Sequence, residues 1–193
     1  MLKIAITGNI SAGKSLVENQ FRTLGIDVID ADKIAHEVLN EKIQLLQNFF
    51  GEEIIKQGQL SREKLAQIVF SDPKKKQKLE KIIHPEVKER IFQFFEGKKI
   101  AIASIPLLFE VGWEKDFDCV IMVIAKDNIR LKRLMERNNF TKEQAKIRIN
   151  AQMSQGDKIK KSDFVIDNNA SKEETFEQVK KIYDILKIKL EEK

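Results

Sequence analysis

Hydrophobic and polar residues alternate at the start of the chain and then change to a helical spacing. In MLKIAIT, Leu2, Ile4 and Ile6 alternate with Lys3 and Ala5, which is typical of a β-strand. The later segment SLVENQFRTLG carries apolar residues at helical spacing and is followed by the stop signal Gly25. The pattern predicts a strand, a loop and a helix in that order.

Four further apolar segments predict strands, and helical patterns separate most of them. The segments are IDVIDAD, KIAIASI, CVIMVIA and DFVIDN. KIAIASI and CVIMVIA are nearly continuous apolar runs, as expected in a parallel sheet that is covered on both faces. Strands that alternate with helices predict a doubly wound α/β fold with a five-stranded parallel sheet.

Two long helical stretches interrupt this alternation. We predict a helical stretch over about 33–50, a turn-rich connector at GEEIIKQGQ, and helical structure over about 61–95 that is interrupted at Pro73 and Pro85. Ser61 gives a partial cap signal, and TKEQ at 141–144 and SKEE at 171–174 read as capping boxes. We therefore expect a core of residues 1–35, 99–127 and 163–193, a helical insertion at 36–98 and a basic helical lid at 128–162.

The predicted first loop carries the spacing of a phosphate-binding loop. ITGNISAGKS contains GxxxxGK[ST] from Gly8 to Ser15, between a strand and a helix as the motif requires. Gly8 permits the turn, Gly13 permits close backbone approach, and backbone N–H groups and the helix N-terminus favour phosphate oxygens. Lys14 would reach the outer phosphates and Ser15 would ligate magnesium. A chance loop match is the alternative.

Composition narrows the functional class. The chain has 193 residues, 42% hydrophobic and 34% charged, with a net charge of +5. These values suit one compact core with an insertion, and no apolar run approaches a membrane span, so we expect a cytoplasmic protein without membrane contact. The lysines are spread among glutamates, and KKKQK at 74–78 lacks interleaved aromatic residues, which disfavours nucleic-acid binding. The single cysteine, Cys119, is expected in the core.

One acidic residue is the candidate catalytic base. In open α/β sheets the ligand lies beyond the carboxyl ends of the strands. Asp27 precedes the second strand, whereas Asp30 and Asp32 follow it. Phosphoryl transfer needs a carboxylate that accepts or orients the acceptor hydroxyl's proton, and we assign that role to Asp32. The alternative is that Asp30 or Asp32 caps the next helix.

Three of the seven arginines cluster in the predicted lid. Arg130, Arg133 and Arg137 fall within about 60° on a helical wheel. Bound phosphates would offset their mutual repulsion, and pairing with Asp127, Glu136 or other acids is the alternative. Arg148 and Gln152 lie one turn apart on the next helix and could extend this polar face.

The histidines and glycines argue against a metal site made of side chains and against a GTPase. His36 and His84 have no partner at metal-ligand spacing, so we expect no side-chain metal cluster. No glycine has an aspartate three residues before it, so the DxxG motif of a GTPase switch is absent. The residues alone predict an ATP-dependent kinase of a small molecule.

The order of motifs resembles that of the dephospho-CoA kinase family. The resemblance rests on ITGNISAGKS, VIDADKIAHEV, GQLSREKLAQIVF, KIIHPEV, IPLLFE, RLMERN, RINAQM and DFVIDN. It implies a P-loop kinase fold and transfer of the γ-phosphate of ATP to the 3'-hydroxyl of the ribose in dephospho-CoA. The family loop reads more like GGIGSGKS, so Asn9, Ser11 and Ala12 depart from it.

The resemblance implies roles for individual positions. Asp32, Lys14 and Arg137 are expected to be catalytic, and Ser15 is expected to hold Mg²⁺. ATP is assigned to Gly8, Asn9, Ile10, Ser11, Ala12, Gly13, Lys14, Ser15, Leu16 and Asn168, the last of these near the adenine. The acceptor is assigned to the helical insertion with His84 and Pro85, and to Leu107, Leu108, Phe109 and Glu110.

Two other functions stay open at this point. A kinase of another small acceptor, such as a nucleoside monophosphate, would share the phosphate loop and the lid. A non-catalytic module that binds ATP and presents a surface to a partner protein would share them too. The sequence does not define an oligomeric state.

Overall fold

The computed structural model describes residues 1–192 and places seven strands and nine α-helices in them. The strands are β1 (Leu2–Gly8), β2 (Asp27–Asp30), β3 (Ile55–Lys56), β4 (Gln59–Leu60), β5 (Ile100–Ser104), β6 (Cys119–Ile124) and β7 (Phe164–Asp167). The helices are α1 (Lys14–Thr23), α2 (Ala31–Glu41), α3 (Ile43–Phe50), α4 (Arg62–Ser71), α5 (Pro73–Phe95), α6 (Asp127–Asn138), α7 (Lys142–Asn150), α8 (Gln155–Ile159) and α9 (Lys172–Glu191).

The chain divides into two compact units. One unit, here called the core unit, comprises Met1–Asp30 and the chain from Gly97 onward. The other, here called the helical unit, is Ala31–Glu96.

The core unit is built on a five-stranded parallel sheet in the order β2-β5-β1-β6-β7. This confirms the predicted doubly wound α/β fold and its five strands. The central strand β1 is buried almost throughout, because helices cover both faces of such a sheet. Its residues Ile4 and Ile6 pack in one cluster with Phe21 of α1 and with Val179 and Leu186 of α9.

Local sequence signals start two of the core unit's helices. Thr141 accepts a hydrogen bond from the Gln144 backbone N–H, and the Gln144 side chain accepts one from the Thr141 N–H. Ser171 and Glu174 make the same reciprocal pair at the start of α9. Both predicted capping boxes are therefore confirmed. Cys119 is buried, as expected, and burial raises the pKa of its thiol to about 12.

The helical unit packs α2 to α5 around a small apolar core with a short hairpin. Leu46, Phe50, Ile54 and Leu65 form the buried cluster. The helical stretch predicted over about 33–50 consists of two helices, α2 and α3. The prediction of a turn-rich connector at GEEIIKQGQ is incomplete, because β3 and β4 pair there as an antiparallel hairpin.

Proline has opposite effects at its two positions in this unit. Pro73 is the first residue of α5, where its missing N–H costs nothing, and the Asp72 carboxylate accepts hydrogen bonds from the next two N–H groups. Pro85 lies inside the 23-residue helix α5, so the predicted interruption there is wrong. Pro85 itself is exposed, whereas Ile83 and Val87 on another face of α5 are buried, and α5 packs against α2. Burial of this apolar face offsets the lost backbone hydrogen bond.

One arginine joins α2 to α5. Arg90 donates hydrogen bonds to the carboxylates of Glu41 and Glu86, and Lys42 lies 3.3 Å from Glu86. These cations hold the pKa of both carboxyl groups below their usual values. The groups are exposed to solvent, so the network orients the helices more than it stabilises the fold.

Candidate functional site: a braced phosphate loop

The loop between β1 and α1 requires glycine at both ends. A Cβ at Gly8 would lie 2.7 Å from the carbonyl oxygen of Val123 on the neighbouring strand. Gly13 has φ of +98°, and a Cβ there would lie 1.9 Å from Nδ2 of Asn168. Ser11 also has a left-handed φ, +60°. Left-handed residues interspersed in a short loop turn successive N–H groups inward, as phosphate-binding loops require.

Asn168 and Arg133 brace one side of this loop. Asn168 donates a hydrogen bond to the Ala12 carbonyl at 2.8 Å, and its side-chain oxygen accepts one from the Thr175 hydroxyl. Arg133 donates to the carbonyls of Ala12 and Asn168. The buried Asn168 side chain thus holds the loop's backbone, in addition to the adenine contact that the resemblance implies.

Residues from the predicted lid hold the other side of the loop. Asn9 donates to the Met153 carbonyl at 2.8 Å, and the Ile10 N–H donates to Oε1 of Gln152 at 2.7 Å. Arg130 donates from Nε to the Ile10 carbonyl. Gln152 therefore does face the phosphate loop.

The other arginines of the predicted lid have different surroundings from Arg133. Arg130 is 2% exposed and pairs with Asp127 at 2.9 Å, which is the ion pairing given above as the alternative to phosphate binding. Arg137 donates to the Asn138 side chain at the exposed end of α6. Arg148 lies on α7 with its guanidinium 4.0 Å from the ring centroid of Phe140. Gln152 lies after the end of α7, so the prediction that both residues belong to one helix is wrong.

Positive charge accumulates beside the loop. Burial lowers the pKa of Arg130, which Asp127 partly opposes, and Nη2 of Arg130 is buried without a hydrogen-bond partner among residues 1–192. Burial also lowers the pKa of Lys158, and the nearby charges of Lys14 and Arg130 add to this effect against Glu110. A bound polyanion would accept a hydrogen bond from the unpartnered Nη2 and would offset the repulsion between these cations.

Lys14 and Ser15 open helix α1. They are its first two residues, and backbone N–H groups at that position have no partner one turn earlier in the helix. Ser15 is exposed, so its hydroxyl is accessible to a ligand. The first turn of α1 thus presents two N–H groups, one ammonium and one hydroxyl to solvent, which fits a phosphate chain.

The loop after β5 carries the predicted acceptor residues of the core unit. Leu107 is 45% exposed, whereas Leu108 and Phe109 are buried. Glu110 accepts hydrogen bonds from Lys158 at 2.8 Å and from the Met153 N–H at 3.2 Å. In this loop Leu107 is therefore the residue that offers apolar surface to a ligand.

The remaining predicted residues belong to the helical unit. Asp32 lies in the first turn of α2, two residues after the carboxyl end of β2, whereas Asp27 begins that strand. His84 and Pro85 lie in the middle of α5. Burial lowers the pKa of His84, and the nearby Glu80 carboxylate opposes this shift.

The sequence interpretation missed Lys158. It lies in a lysine-rich segment, DKIKK, that reads as an exposed surface, yet its side chain is fully buried and also donates to the Pro106 carbonyl. Within the described chain, no cluster of three or more His, Cys, Asp or Glu side chains has the spacing of a metal site. No helix in residues 1–192 is long and apolar enough to cross a membrane.

Comparisons with known proteins agree on one family. The family model for dephospho-CoA kinase matches residues 2–174. The chain is 45% identical over 185 residues to a dephospho-CoA kinase of Listeria innocua, covering 91% of this chain and 92% of that protein. It is 40% identical to one of Arabidopsis thaliana, over 93% of this chain and 81% of that protein.

Solved structures of other proteins share this fold, and one of them is a dephospho-CoA kinase. The dephospho-CoA kinase of Campylobacter jejuni superposes with a TM-score of 0.71 at 30% identity, covering 95% of this chain and 96% of the other. The protein TT1252 of Thermus thermophilus superposes with a TM-score of 0.86 at 35% identity, over 94% and 95% of the two chains. A shikimate kinase of Bacteroides thetaiotaomicron, at 11% identity and a TM-score of 0.55, shares the fold.

Proposed function

The chain belongs to the dephospho-CoA kinase family, and from this membership we propose how its residues carry out the reaction. It is an ATP-dependent kinase that phosphorylates the 3'-hydroxyl of the ribose in dephospho-CoA and gives coenzyme A and ADP, the last step of coenzyme A biosynthesis. The proposals below concern the roles of individual residues.

The phosphate loop binds the phosphate chain of ATP. The observation that carries this proposal is the buried Nη2 of Arg130, which has no partner within residues 1–192 and lies in a side chain already bonded to the loop at Ile10. Backbone N–H groups at the end of the loop and at the start of α1 bind the phosphates, and Lys14 contacts the outer ones. Asn168 keeps the loop in this form through Ala12.

Mg²⁺ fits the exposed Ser15 hydroxyl together with phosphate oxygens, since this ion prefers oxygen ligands and retains waters. When bound, it would offset negative charge on the phosphates. The structure contributes the hydroxyl at the start of α1, and the phosphates contribute the other charged oxygens.

Asp32 accepts the proton of the 3'-hydroxyl. The oxygen then attacks the γ-phosphorus, the bond from that phosphorus to the β–γ bridging oxygen breaks, and ADP leaves. Lys14 and Arg137 offset the charge that develops on the transferred group. The support for Asp32 is its place just after the carboxyl end of β2 and its match to DADKIAHEV.

Residues outside the phosphate loop bind the acceptor. The helical unit, with His84 and Pro85, contributes the side that contacts the CoA moiety, and the loop Leu107–Glu110 contributes the exposed Leu107. Residues 128–162 act as the lid over the phosphates. The cytoplasmic location stays a prediction.

A panel of acceptors tests the function against another small-molecule kinase. ADP release is measured with ATP, Mg²⁺ and either dephospho-CoA, AMP, CMP or UMP. We expect saturable turnover with dephospho-CoA and little with the nucleotides. Turnover with a nucleoside monophosphate and none with dephospho-CoA would contradict the proposal.

Asp32→Asn tests the catalytic role and separates an enzyme from a binding module. The amide cannot accept the proton, so kcat should fall by about 10²- to 10⁴-fold while ATP affinity, measured by calorimetry, is retained. Asp27→Asn is the matched control, because Asp27 lies at the opposite end of β2 and pairs only weakly with Lys98 at 4.0 Å. Unchanged kcat in Asp32→Asn would exclude Asp32 as the base.

A further inference from the structure

The backbone of Met153 joins two loops of the core unit. Its carbonyl accepts a hydrogen bond from the Asn9 side chain in the phosphate loop at 2.8 Å. Its N–H donates to the Glu110 carboxylate in the loop after β5 at 3.2 Å. The preceding residue, Gln152, accepts from the Ile10 N–H. One short segment, Gln152–Met153, therefore contacts both loops.

Glu110 is itself held by a buried cation. Lys158 has no exposed side-chain area and lies 2.8 Å from Oε1 of Glu110. The same ammonium donates to the Pro106 carbonyl, which also accepts from the Thr7 hydroxyl at the end of β1. Breaking a buried ion pair leaves an uncompensated charge, so this end of the connection resists displacement.

The phosphate-loop end of the connection is the weaker one. It consists of two neutral hydrogen bonds, from the Asn9 side chain to Met153 and from the Ile10 N–H to Gln152, which cost less to break than a buried ion pair. The side-chain oxygen of Asn9 is buried and has no hydrogen-bond partner in residues 1–192, so the amide is held by its bond to Met153 alone. Asn9 is also a position where this chain departs from the glycine of the family loop.

We propose that the Gln152–Met153 segment is a bridge that couples the phosphate loop to the loop after β5, with Asn9, Glu110 and Lys158 as its positioning residues. Nucleotide that orders the phosphate loop then also orders residues 105–112. The consequence for catalysis, alignment of the acceptor with the bound phosphates, rests on the proposed function. The bridge itself requires only that the phosphate loop binds a nucleotide.

Amide hydrogen exchange with ADP as the only ligand tests the bridge. In the wild type, saturating ADP with Mg²⁺ should slow exchange in peptides that cover 8–16, and by about tenfold in peptides that cover 105–112. In Asn9→Ala combined with Gln152→Ala, both hydrogen bonds from the phosphate loop to the bridge are removed. With ADP raised to the same occupancy as in the wild type, measured by calorimetry, the slowing at 105–112 should fall to about twofold or less. Asn9→Gly in place of Asn9→Ala, which restores the family residue, should give the same result.

Gln20→Ala is the matched control. Gln20 also donates a single side-chain amide hydrogen bond to a backbone carbonyl, that of Lys172, but it lies outside the bridge. It should retain the wild-type slowing at 105–112. Equal slowing at 105–112 in the wild type and in the Asn9→Ala, Gln152→Ala double variant at equal ADP occupancy, or none in the wild type, would overturn the bridge. Because no acceptor is present, these outcomes are independent of whether dephospho-CoA is phosphorylated.

Discussion

Gly13 adopts a φ of +98°, and a Cβ built there would lie 1.9 Å from Nδ2 of Asn168. Asn168 cannot move away at little cost, because both ends of its side-chain amide are hydrogen-bonded, to Ala12 and to Thr175. Gly13 is therefore constrained twice, by its own backbone conformation and by the hydrogen-bonded Asn168 side chain beside it.

Gly13→Ala should weaken nucleotide binding while leaving the protein folded. The added methyl must displace Asn168 or distort the loop, so we expect affinity for ADP to fall by about tenfold or more. Titration calorimetry measures the affinity, and circular dichroism reports whether the protein is folded.

Gly156→Ala is the control for this experiment. Gly156 lies in α8 with a helical backbone, and the nearest atom to an added Cβ is 3.9 Å away. This substitution should leave ADP affinity unchanged. Equal affinity in Gly13→Ala and wild type would contradict the account of the brace.

At the scale of single residues, sequence spacing predicts the residues of the phosphate loop but not the buried residues that hold the loop and its neighbours in place. Lys14 and Ser15 follow from GxxxxGK[ST] in a strand–loop–helix context. Lys158 does not, because nothing local distinguishes it from the neighbouring lysines of DKIKK. Its burial is a consequence of the Glu110 carboxylate and the Pro106 carbonyl, which are about 50 residues away in the chain.

At the scale of secondary-structure elements, local sequence signals predict a helix boundary correctly where the contacts that form the boundary are also local. Both capping boxes pair residues three apart, and both helices begin as predicted. Pro85 is the opposite case. Its local effect predicts a break, but α5 is continuous, buries Ile83 and Val87, and packs against α2, which is distant in sequence.

His84 in helix α5 makes the free energy of unfolding depend on pH. Burial lowers the pKa of His84 below its usual 6.5, so the folded state binds a proton less readily than the unfolded state. The free energy of unfolding should therefore decrease as pH falls through 6.5. In His84→Gln this contribution is absent, and denaturant unfolding from about pH 7 to about pH 5 should show a weaker pH dependence.

Glu80→Gln provides the comparison for this pH dependence. The Glu80 carboxylate raises the pKa of His84 and so opposes the effect of burial. Without that charge, the decrease in unfolding free energy on acidification should be steeper than in the wild type. Identical slopes in wild type, His84→Gln and Glu80→Gln would show that His84 does not contribute.

At the scale of the whole molecule, the pattern predicts the five strands of the parallel sheet but not their order. The five apolar segments were each recognisable, whereas the order β2-β5-β1-β6-β7 depends on pairing between segments far apart in the chain. Parallel pairing on both sides of β1 brings the phosphate loop to the middle of the sheet's carboxyl edge, where open α/β proteins bind ligands.

The most direct test of the central claim identifies the product of the wild-type protein. The protein is incubated with ATP, Mg²⁺ and dephospho-CoA, and mass spectrometry with phosphorus NMR locates the added phosphoryl group. We predict stoichiometric formation of ADP and of coenzyme A with the new phosphate on the 3'-hydroxyl of the ribose. Tight binding of ATP without any phosphorylated product, or a phosphate at another position, would contradict the claim.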